Sequence, residues 1–143
     1  MITISLCMIV KNEEKNLTRC LSSYAPFMDE IIVVDTGSTD KTKEIAARFT
    51  DKIYDFDWVN DFSAARNFAF SKATCDYIFS ADADEVLEGE NIQQFAILKE
   101  VLDPEIEIVQ MQYGNQLQNG TIYNFDCELR PKLFKRLRTF TWI

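Results

Sequence analysis

The sequence predicts an α/β fold with a mostly parallel sheet, helices on its faces and a β-hairpin towards the C-terminus. Short apolar runs alternate with segments whose apolar residues recur at helical spacing, in the order β-α-β-α-β-α-β. Further along the chain, Asn119-Gly120 lies between two extended segments, which is typical of a two-residue hairpin turn. The chain has 143 residues and no low-complexity segment, so we expect a single domain over residues 1–143.

The elements of the first half follow from residue spacing. Leu17, Cys20, Leu21 and Tyr24 recur at helical spacing before Pro26, and the segment 30–35 is β-branched with polar ends, as a buried parallel strand should be. Asp61-Phe62-Ser63 is a helix-capping sequence. The predicted strands are 3–10, 30–35, 52–57 and 77–79, and the predicted helices are 17–24, 41–49 and 64–73.

The second half has a different pattern. A helix is predicted at 91–102, followed by hairpin strands at 106–118 and 121–126 and by one more strand at 130–135. The last residues, 139–143, are aromatic and lack capping or turn residues. Because natural chain ends are usually polar, we expect this chain to be truncated, as part of a longer protein.

Composition narrows the classes of function. The net charge of −8 argues against a nucleic-acid partner, and no apolar run approaches the ~20 residues of a transmembrane segment. The first apolar run lacks the basic leader of a signal peptide, so a cytoplasmic location is expected. Four widely spaced cysteines and the absence of histidine exclude the usual zinc sites and a histidine base, and they favour free, mostly buried thiols.

Two D-x-D sequences are candidates for a metal site. Asp82-Ala83-Asp84 directly follows the short buried run 77–79, at the strand end where open α/β sheets bind ligands. Carboxylate oxygens suit a hard cation such as Mg²⁺, which binds one or two carboxylates together with substrate phosphates. The second sequence, Asp55-Phe56-Asp57, has aromatic neighbours and is interpreted as a strand end or a surface loop.

Other polar residues are expected at the same edge of the sheet as Asp82 and Asp84. Asn12-Glu13 and Asp35 also follow predicted strands, and Arg66 lies near a helix N-terminus, which favours anions. Each has a structural alternative. Arg66 could form a salt bridge, Asp35 could cap the next helix, and Glu13 and Glu14 could interact with a helix dipole.

Four sequence motifs, in order, cover most of the chain: MIVKNEE at 8–14, DEIIVVDTGSTD at 29–40, DFSAARN at 61–67 and ADADE at 81–85. Together they resemble the family 2 glycosyltransferases, which have the GT-A fold. The resemblance implies an inverting, metal-dependent transfer of a sugar from a UDP- or GDP-sugar to an acceptor that the sequence does not identify. It also implies Mg²⁺ or Mn²⁺ as cofactor.

The resemblance also assigns roles to individual residues. The acid that matches Asp35 contacts the base or ribose, the segment 11–13 lines the base pocket, and Arg66 faces the nucleotide. The general base is expected beyond Ile143, with Glu128 a weak stand-in. The implied nucleotide-sugar-binding residues are Lys11, Asn12, Glu13, Asp35, Arg66 and Asp82, and the implied metal ligands are Asp82 and Asp84.

Other classes of protein fit parts of the pattern. A catalytically incomplete nucleotide-sugar-binding or interaction domain is one alternative, since the acceptor side is missing. A nucleotidyltransferase would use similar metal chemistry but usually has a Gly-rich first loop, which this chain lacks. Asp82 to Val86 also fits the D-x-D-x-[TV] of haloacid-dehalogenase-like phosphatases, although there it follows the first strand. An EF-hand loop would need an Asp or Asn and a Gly where Val86 and Leu87 stand.

Overall fold

The structure, a computed structural model, describes residues 1–58, 60–116 and 122–136, with the main chain alone at 90, 110, 112–116 and 122–131. Its elements are β1 (Ile4–Val10), α1 (Leu17–Tyr24), a 3-10 turn (Ala25–Phe27), β2 (Glu30–Asp35), α2 (Thr42–Ala46), β3 (Ile53–Asp55), α3 (Phe62–Ser71), β4 (Tyr77–Ser80), α4 (Glu90–Val101), β5 (Ile108–Gln116) and β6 (Ile122–Lys135).

The strands form a six-stranded sheet in the order β3-β2-β1-β4-β6-β5. The pairs β1–β2, β1–β4 and β2–β3 are parallel, whereas β6 runs antiparallel to both β4 and β5. This arrangement confirms the predicted α/β class with a mostly parallel sheet. The parallel part places the C-terminal ends of β1, β2 and β4 at one edge, while β6 passes that edge in the opposite direction.

Both faces of the sheet are covered. On one face, alternate residues of β1 (Ile4, Leu6, Met8 and Val10) pack with α1 and with Phe95 of α4. On the other face, Cys7 packs against Ala69 of α3, and its thiol donates a hydrogen bond to the Ala69 carbonyl at 3.6 Å. The small side chains of α3 let this helix approach the sheet closely. Because α3 runs back against the direction of the parallel strands, its N-terminal turns lie at the C-terminal ends of β1 and β4.

Three predicted elements need correction. The helix predicted at 41–49 is shorter, because after Ala46 the chain forms turns in which Arg48 and Phe49 bond three residues back. The strand predicted at 52–57 is limited to Ile53–Asp55, an edge strand that pairs with β2 over three residues. The strand predicted at 130–135 is part of the long strand β6. The pairing of β6 with β5 shifts register near Gln110, which is the partner of Pro131. The turn predicted at Asn119-Gly120 lies outside the described residues.

Candidate functional site

The sheet brings most of the predicted polar residues to one edge. Val10, the last residue of β1, is the register partner of Asp35, the last residue of β2, and Ser80 ends β4 on the other side of β1. Asp35 and the segment that follows Ser80 are therefore separated by two strand spacings across the sheet, a lateral distance of roughly 10 Å. Asn12 and Glu13 follow β1 between them. The sheet thus places these groups as the sequence predicted, and what they bind remains a prediction.

Asp35 is a buried carboxylate whose two oxygens differ in their hydrogen bonding. It is 2% exposed, and its Oδ1 accepts hydrogen bonds from the N–H groups of Gly37 and Ser38, both at 2.8 Å. Gly37 has φ of 115°, which suits glycine in this tight turn. Among the described residues, nothing donates a hydrogen bond to Oδ2, which is also buried. A buried acceptor without a donor is uncommon, so a ligand or water is expected to supply one.

The helix-capping alternative for Asp35 is wrong. Helix α2 begins at Thr42, and Lys41 is the residue at its N-cap position. The Asp35 side chain instead bonds to the turn that directly follows β2. This leaves Oδ2 uncommitted to any helix.

Two loops at this edge are hydrogen-bonded to each other. Asn12 has φ of 52°, its N–H donates to Ser38 Oγ at 2.9 Å, and its side-chain oxygen accepts from the N–H of Thr39 at 2.8 Å. The N–H of Glu13 donates to Thr42 Oγ1 at 2.9 Å. Asn12 therefore joins the loop after β1 to the loop after β2, which fixes the surroundings of Asp35.

The side chains around Asn12 differ in their roles. Glu14 accepts a hydrogen bond from the N–H of Lys41 at 3.1 Å, which adds to the link between the loops. Neither Glu13 nor Glu14 lies in the first turn of α1, which contains no acidic residue, so their interpretation as first-turn partners of that helix is wrong. Lys11 is exposed at the same edge.

Arg66 lies on α3 next to residues 81–85, which are called the acidic segment below. Asp61 caps α3 by accepting hydrogen bonds from the N–H groups of Ser63 and Ala64, at 3.0 and 3.3 Å. The guanidinium of Arg66 lies 4.7 Å from the centre of the Phe62 ring. Burial lowers the pKa of Arg66, and the negative charge of Asp82 opposes this shift.

Arg66 and Asp82 line the same cleft. This small cleft lies between α3 and the ends of β1 and β4, and Phe62 and Ser80 also contribute to its wall. The charges of Asp82 and Glu85 both act on Arg66, so the interpretation as an ion-pair partner stays open beside the nucleotide role. In either case, a cation faces the acidic segment from the helix side.

The acidic segment alternates between buried and exposed residues. Ala81 and Ala83 are each 3% exposed, whereas Asp82 and Asp84 are exposed. The main chain is fixed by a hydrogen bond from the N–H of Glu85 to the Asp82 carbonyl at 3.0 Å. Burial of the small alanines therefore turns both aspartates of the D-x-D towards solvent, where a cation could reach them.

The exposed aspartates fit a cation that brings its own ligands. No group of three or more His, Cys, Asp or Glu side chains in the described part of the chain is arranged to hold a metal ion. Asp82 and Asp84 supply two carboxylates, so the remaining ligands would have to be water or substrate oxygens. That is how Mg²⁺ is commonly held in phosphate-transfer sites.

The second D-x-D has a different environment. Asp55 ends the edge strand β3, is 72% exposed and forms an ion pair with Lys43 at 2.7 Å. Phe56 packs against Phe68 of α3 with ring centres 5.0 Å apart, and Asp57 is exposed. This confirms the interpretation of Asp55-Phe56-Asp57 as a strand end.

One residue beside the acidic segment was not predicted as part of the site. Lys132 of β6 forms an ion pair with Glu85 at 2.6 Å, and both side chains are largely buried. Nothing in the local sequence identifies this pair, because it depends on β6 running beside β4. Glu128, the candidate base, lies in β6 among the residues whose side chains are not described.

The cysteines are consistent with free thiols. Cys7 and Cys20 are buried and Cys75 is partly buried, and all three are unpaired. Burial raises the pKa of Cys20 to about 12, with a further contribution from Glu85 and Asp84. The side chain of Cys127 lies outside the described residues. In the part of the chain that the structure describes, no helix has the length and apolar character needed to cross a membrane.

Similar proteins identify the family. The family model for glycosyl transferase family 2 matches residues 5–142. A TPR repeat-containing protein of Synechococcus elongatus is 52% identical over 61% of this chain, and the glycosyltransferase SunS of Bacillus subtilis is 40% identical over 71% of it. The chain spans only 22% and 24% of these two relatives.

Solved structures share the fold. Glucosyl-3-phosphoglycerate synthase of Mycobacterium tuberculosis, in complex with UDP, superposes with a TM-score of 0.69 at 18% identity over 94% of this chain and 57% of that one. TarS of S. aureus, also with UDP, gives a TM-score of 0.53 at 24% identity over 69% of this chain and 32% of that one. With the family model covering nearly its whole length, the chain belongs to glycosyl transferase family 2.

Proposed function

We propose that this chain carries the donor site of a metal-dependent glycosyltransferase that takes a UDP-sugar and transfers the sugar with inversion. One observation carries the proposal. A buried carboxylate oxygen without a donor among the described residues, Asp35 Oδ2, lies at the same sheet edge as the two exposed carboxylates of Asp82 and Asp84. A nucleoside diphosphate needs both features, since its base and ribose carry donors and its phosphates bind cations.

Asp35 is proposed to recognise the nucleoside. Its Oδ1 is occupied by two turn N–H groups, so Oδ2 is left to accept a hydrogen from the base or a ribose hydroxyl. The bond between Asn12 and Thr39 holds the neighbouring loop in place. Lys11 and Glu13 follow β1 at the same edge and are proposed to line the base pocket.

Asp82 and Asp84 are proposed to hold Mg²⁺ or Mn²⁺ together with the donor diphosphate. When bound, such a cation stabilises the negative charge of the leaving diphosphate. Arg66 faces the same cleft as Asp82 and is proposed to add a second positive charge on the nucleotide side. The two solved structures named above contain UDP, and glucosyl-3-phosphoglycerate synthase is also known with Mn²⁺ and UDP-glucose. This favours a uridine over a guanosine donor.

Inversion requires a base that removes the acceptor's proton as the sugar is displaced. We propose that this base is a carboxylate outside the described residues. Because the chain spans less than a quarter of the two relatives named above, a donor-binding piece without transfer activity of its own is the second candidate. Release of glucose from UDP-glucose by the chain distinguishes the two, since only an active site that includes the reacting groups would accelerate it.

Calorimetric titration of UDP and GDP, with and without Mn²⁺, tests the donor site. We expect UDP to bind in a Mn²⁺-dependent way, with GDP weaker. Asp84→Asn should weaken Mn²⁺-dependent binding by about tenfold or more, as the loss of a metal ligand predicts. Asp57→Asn, in the second D-x-D, is the matched control and should bind as the native chain does. Equal binding by Asp84→Asn and the native chain would contradict the metal assignment.

A further inference from the structure

Lys132 is the cation that faces the acidic segment from the sheet side. Because β6 runs antiparallel to β4 and pairs Leu133 with Phe79, the residue before Leu133 lies beside the C-terminal end of β4. The ammonium group of Lys132 contacts Glu85 at 2.6 Å and lies 5.9 Å from the centre of the Phe79 ring. A residue 47 positions away in sequence from Glu85 thus reaches the D-x-D segment.

This ion pair is the most buried of those that the described residues form. The side chains of Lys132 and Glu85 are 13% and 8% exposed. The pairs Lys43–Asp55, Lys52–Glu30 and Lys99–Asp29 each have a partner that is at least 39% exposed. The free-energy cost of removing two charges from water offsets most of their mutual attraction. Two apolar side chains in the same place often stabilise a fold as much as the ion pair does. The pair therefore calls for an explanation other than stability.

Glu85 connects Lys132 to Asp82. The N–H of Glu85 donates to the Asp82 carbonyl at 3.0 Å, so the two residues are held in one turn. On the other side of the segment, the Cys20 thiol donates to the same carbonyl at 3.5 Å. The contacts form a chain from the Lys132 ammonium group through Glu85 to the main chain of Asp82, so a displaced Glu85 would shift the turn that carries Asp82 and Asp84.

We propose that Lys132 is a positioning residue, which holds Glu85 and through it orients the Asp82–Asp84 segment to receive the divalent cation of the donor complex. This inference rests on the proposed function, since it assumes that the segment binds a cation. Residues that orient metal ligands typically change metal affinity by about 10–100-fold when they are replaced. Lys132 itself need not touch the cation or the nucleotide.

The deciding variant is Lys132→Met/Glu85→Met. It removes one positive and one negative charge, so the net charge beside the site is unchanged, and two apolar side chains in place of a buried ion pair should preserve the fold. We expect far-ultraviolet circular dichroism like that of the native chain and binding of UDP without metal that is also unchanged. Binding of UDP with Mn²⁺ should be about 10–100-fold weaker.

Three further variants separate positioning from general stability. Lys132→Arg retains the positive charge next to Glu85 and should bind UDP with Mn²⁺ more tightly than the double variant does. Lys99→Met is the matched control, because Lys99 is also 13% exposed and forms an ion pair, with Asp29 at 2.7 Å. Asp29 lies just before β2, at the opposite edge of the sheet from the acidic segment. Lys99→Met should lower the melting temperature without changing Mn²⁺-dependent binding. Glu85→Gln keeps the side-chain volume and tests the same link if the double variant does not fold.

The results separate the two proposals. If the native chain shows no Mn²⁺-dependent binding of UDP, the proposed donor site is wrong and the role of Lys132 with it. If the native chain binds and the folded double variant binds equally well, or more tightly, only the positioning role is overturned. A loss in Mn²⁺-dependent binding alone, with metal-free binding retained, supports the positioning role.

Discussion

Replacing Asp35 by asparagine separates the two oxygens of its carboxylate. The N–H groups of Gly37 and Ser38 both point to Oδ1, so the new side-chain amide must place its oxygen there and its NH₂ where Oδ2 was. The substitution therefore turns the free acceptor into a donor and leaves the turn bonded. A ligand that donates to Oδ2 would meet a second donor in its place.

The expected changes in stability and binding differ in size. The two turn hydrogen bonds lose their charge assistance, which destabilises the fold by about 1–3 kcal/mol. The unpartnered charged oxygen is replaced by a neutral NH₂, which costs less to bury without a partner, so part of this loss is offset. The free energy of unfolding should therefore fall by about 1 kcal/mol. Loss of a charge-assisted hydrogen bond to the ligand is worth about 1.5–3 kcal/mol, or about 10–100-fold in the dissociation constant for UDP.

Urea unfolding and UDP titration measure the two quantities on the same sample. Asp55→Asn is a suitable control, because Asp55 is the register partner of Asp35 on β3 but is 72% exposed. The control should change neither quantity by more than experimental scatter. Binding of UDP to the Asp35→Asn variant within about twofold of the native value would refute the assignment of Oδ2 as the nucleoside acceptor.

Three further predictions concern the framework of the site. Burial alone would raise the pKa of Glu30, but hydrogen bonds from Lys52, Ser5 and Thr74 lower it to about 2 from its ordinary 4.5. The folded pKa lies below the unfolded one, so this stabilisation is present above about pH 4.5 and is lost as pH falls towards 2. Glu30→Gln should thus lower the free energy of unfolding at pH 7 by about 1–3 kcal/mol, as measured by urea titration. The free energy of unfolding of this variant should also depend less on pH between pH 5 and 2. An unchanged pH dependence would contradict the stabilising role of Glu30. Asn12→Gly keeps the left-handed backbone but loses the hydrogen bond to Thr39. It should therefore reduce the free energy of UDP binding more than the free energy of unfolding. Equal losses in the two free energies would indicate a purely structural role. Burial raises the pKa of Cys7 and Cys20, so a thiol reagent at pH 8 should modify both at least about tenfold more slowly in the folded chain than in urea; equal rates would show that the thiols are accessible.

Local sequence patterns predicted the parallel half of the fold well. The segment Glu30–Asp35 was predicted with its observed bounds, because a β-branched run that is buried on both faces has few alternatives. Helix α1 follows the spacing of Leu17, Cys20, Leu21 and Tyr24, all of which are buried. Since parallel strands end at a common edge, the strand order along the chain was enough to bring Asp35 and the D-x-D together.

Non-local pairing accounts for most of what the sequence did not predict. The ion pair between Lys132 and Glu85 exists only because β6 lies antiparallel beside β4, and no local pattern specifies that neighbour. The strand continues through Pro131 with a register shift against β5, in which Lys132 of β6 is the extra residue between the pairs Val109–Leu133 and Gln110–Pro131. The left-handed conformation of Asn12 and its bonds to Ser38 and Thr39 require the loop after β2, which is 26 residues away or more.

The central claim, a metal-dependent donor site at this sheet edge, is tested most directly by a crystal structure of the chain with UDP and Mn²⁺, recorded at the manganese absorption edge. We predict one anomalous peak within about 2.5 Å of a carboxylate oxygen of Asp84 or Asp82, with diphosphate oxygens in the same coordination sphere. The uridine should donate a hydrogen bond to Asp35 Oδ2. Manganese bound away from both aspartates, or UDP bound with Asp35 Oδ2 still lacking a donor, would contradict the claim.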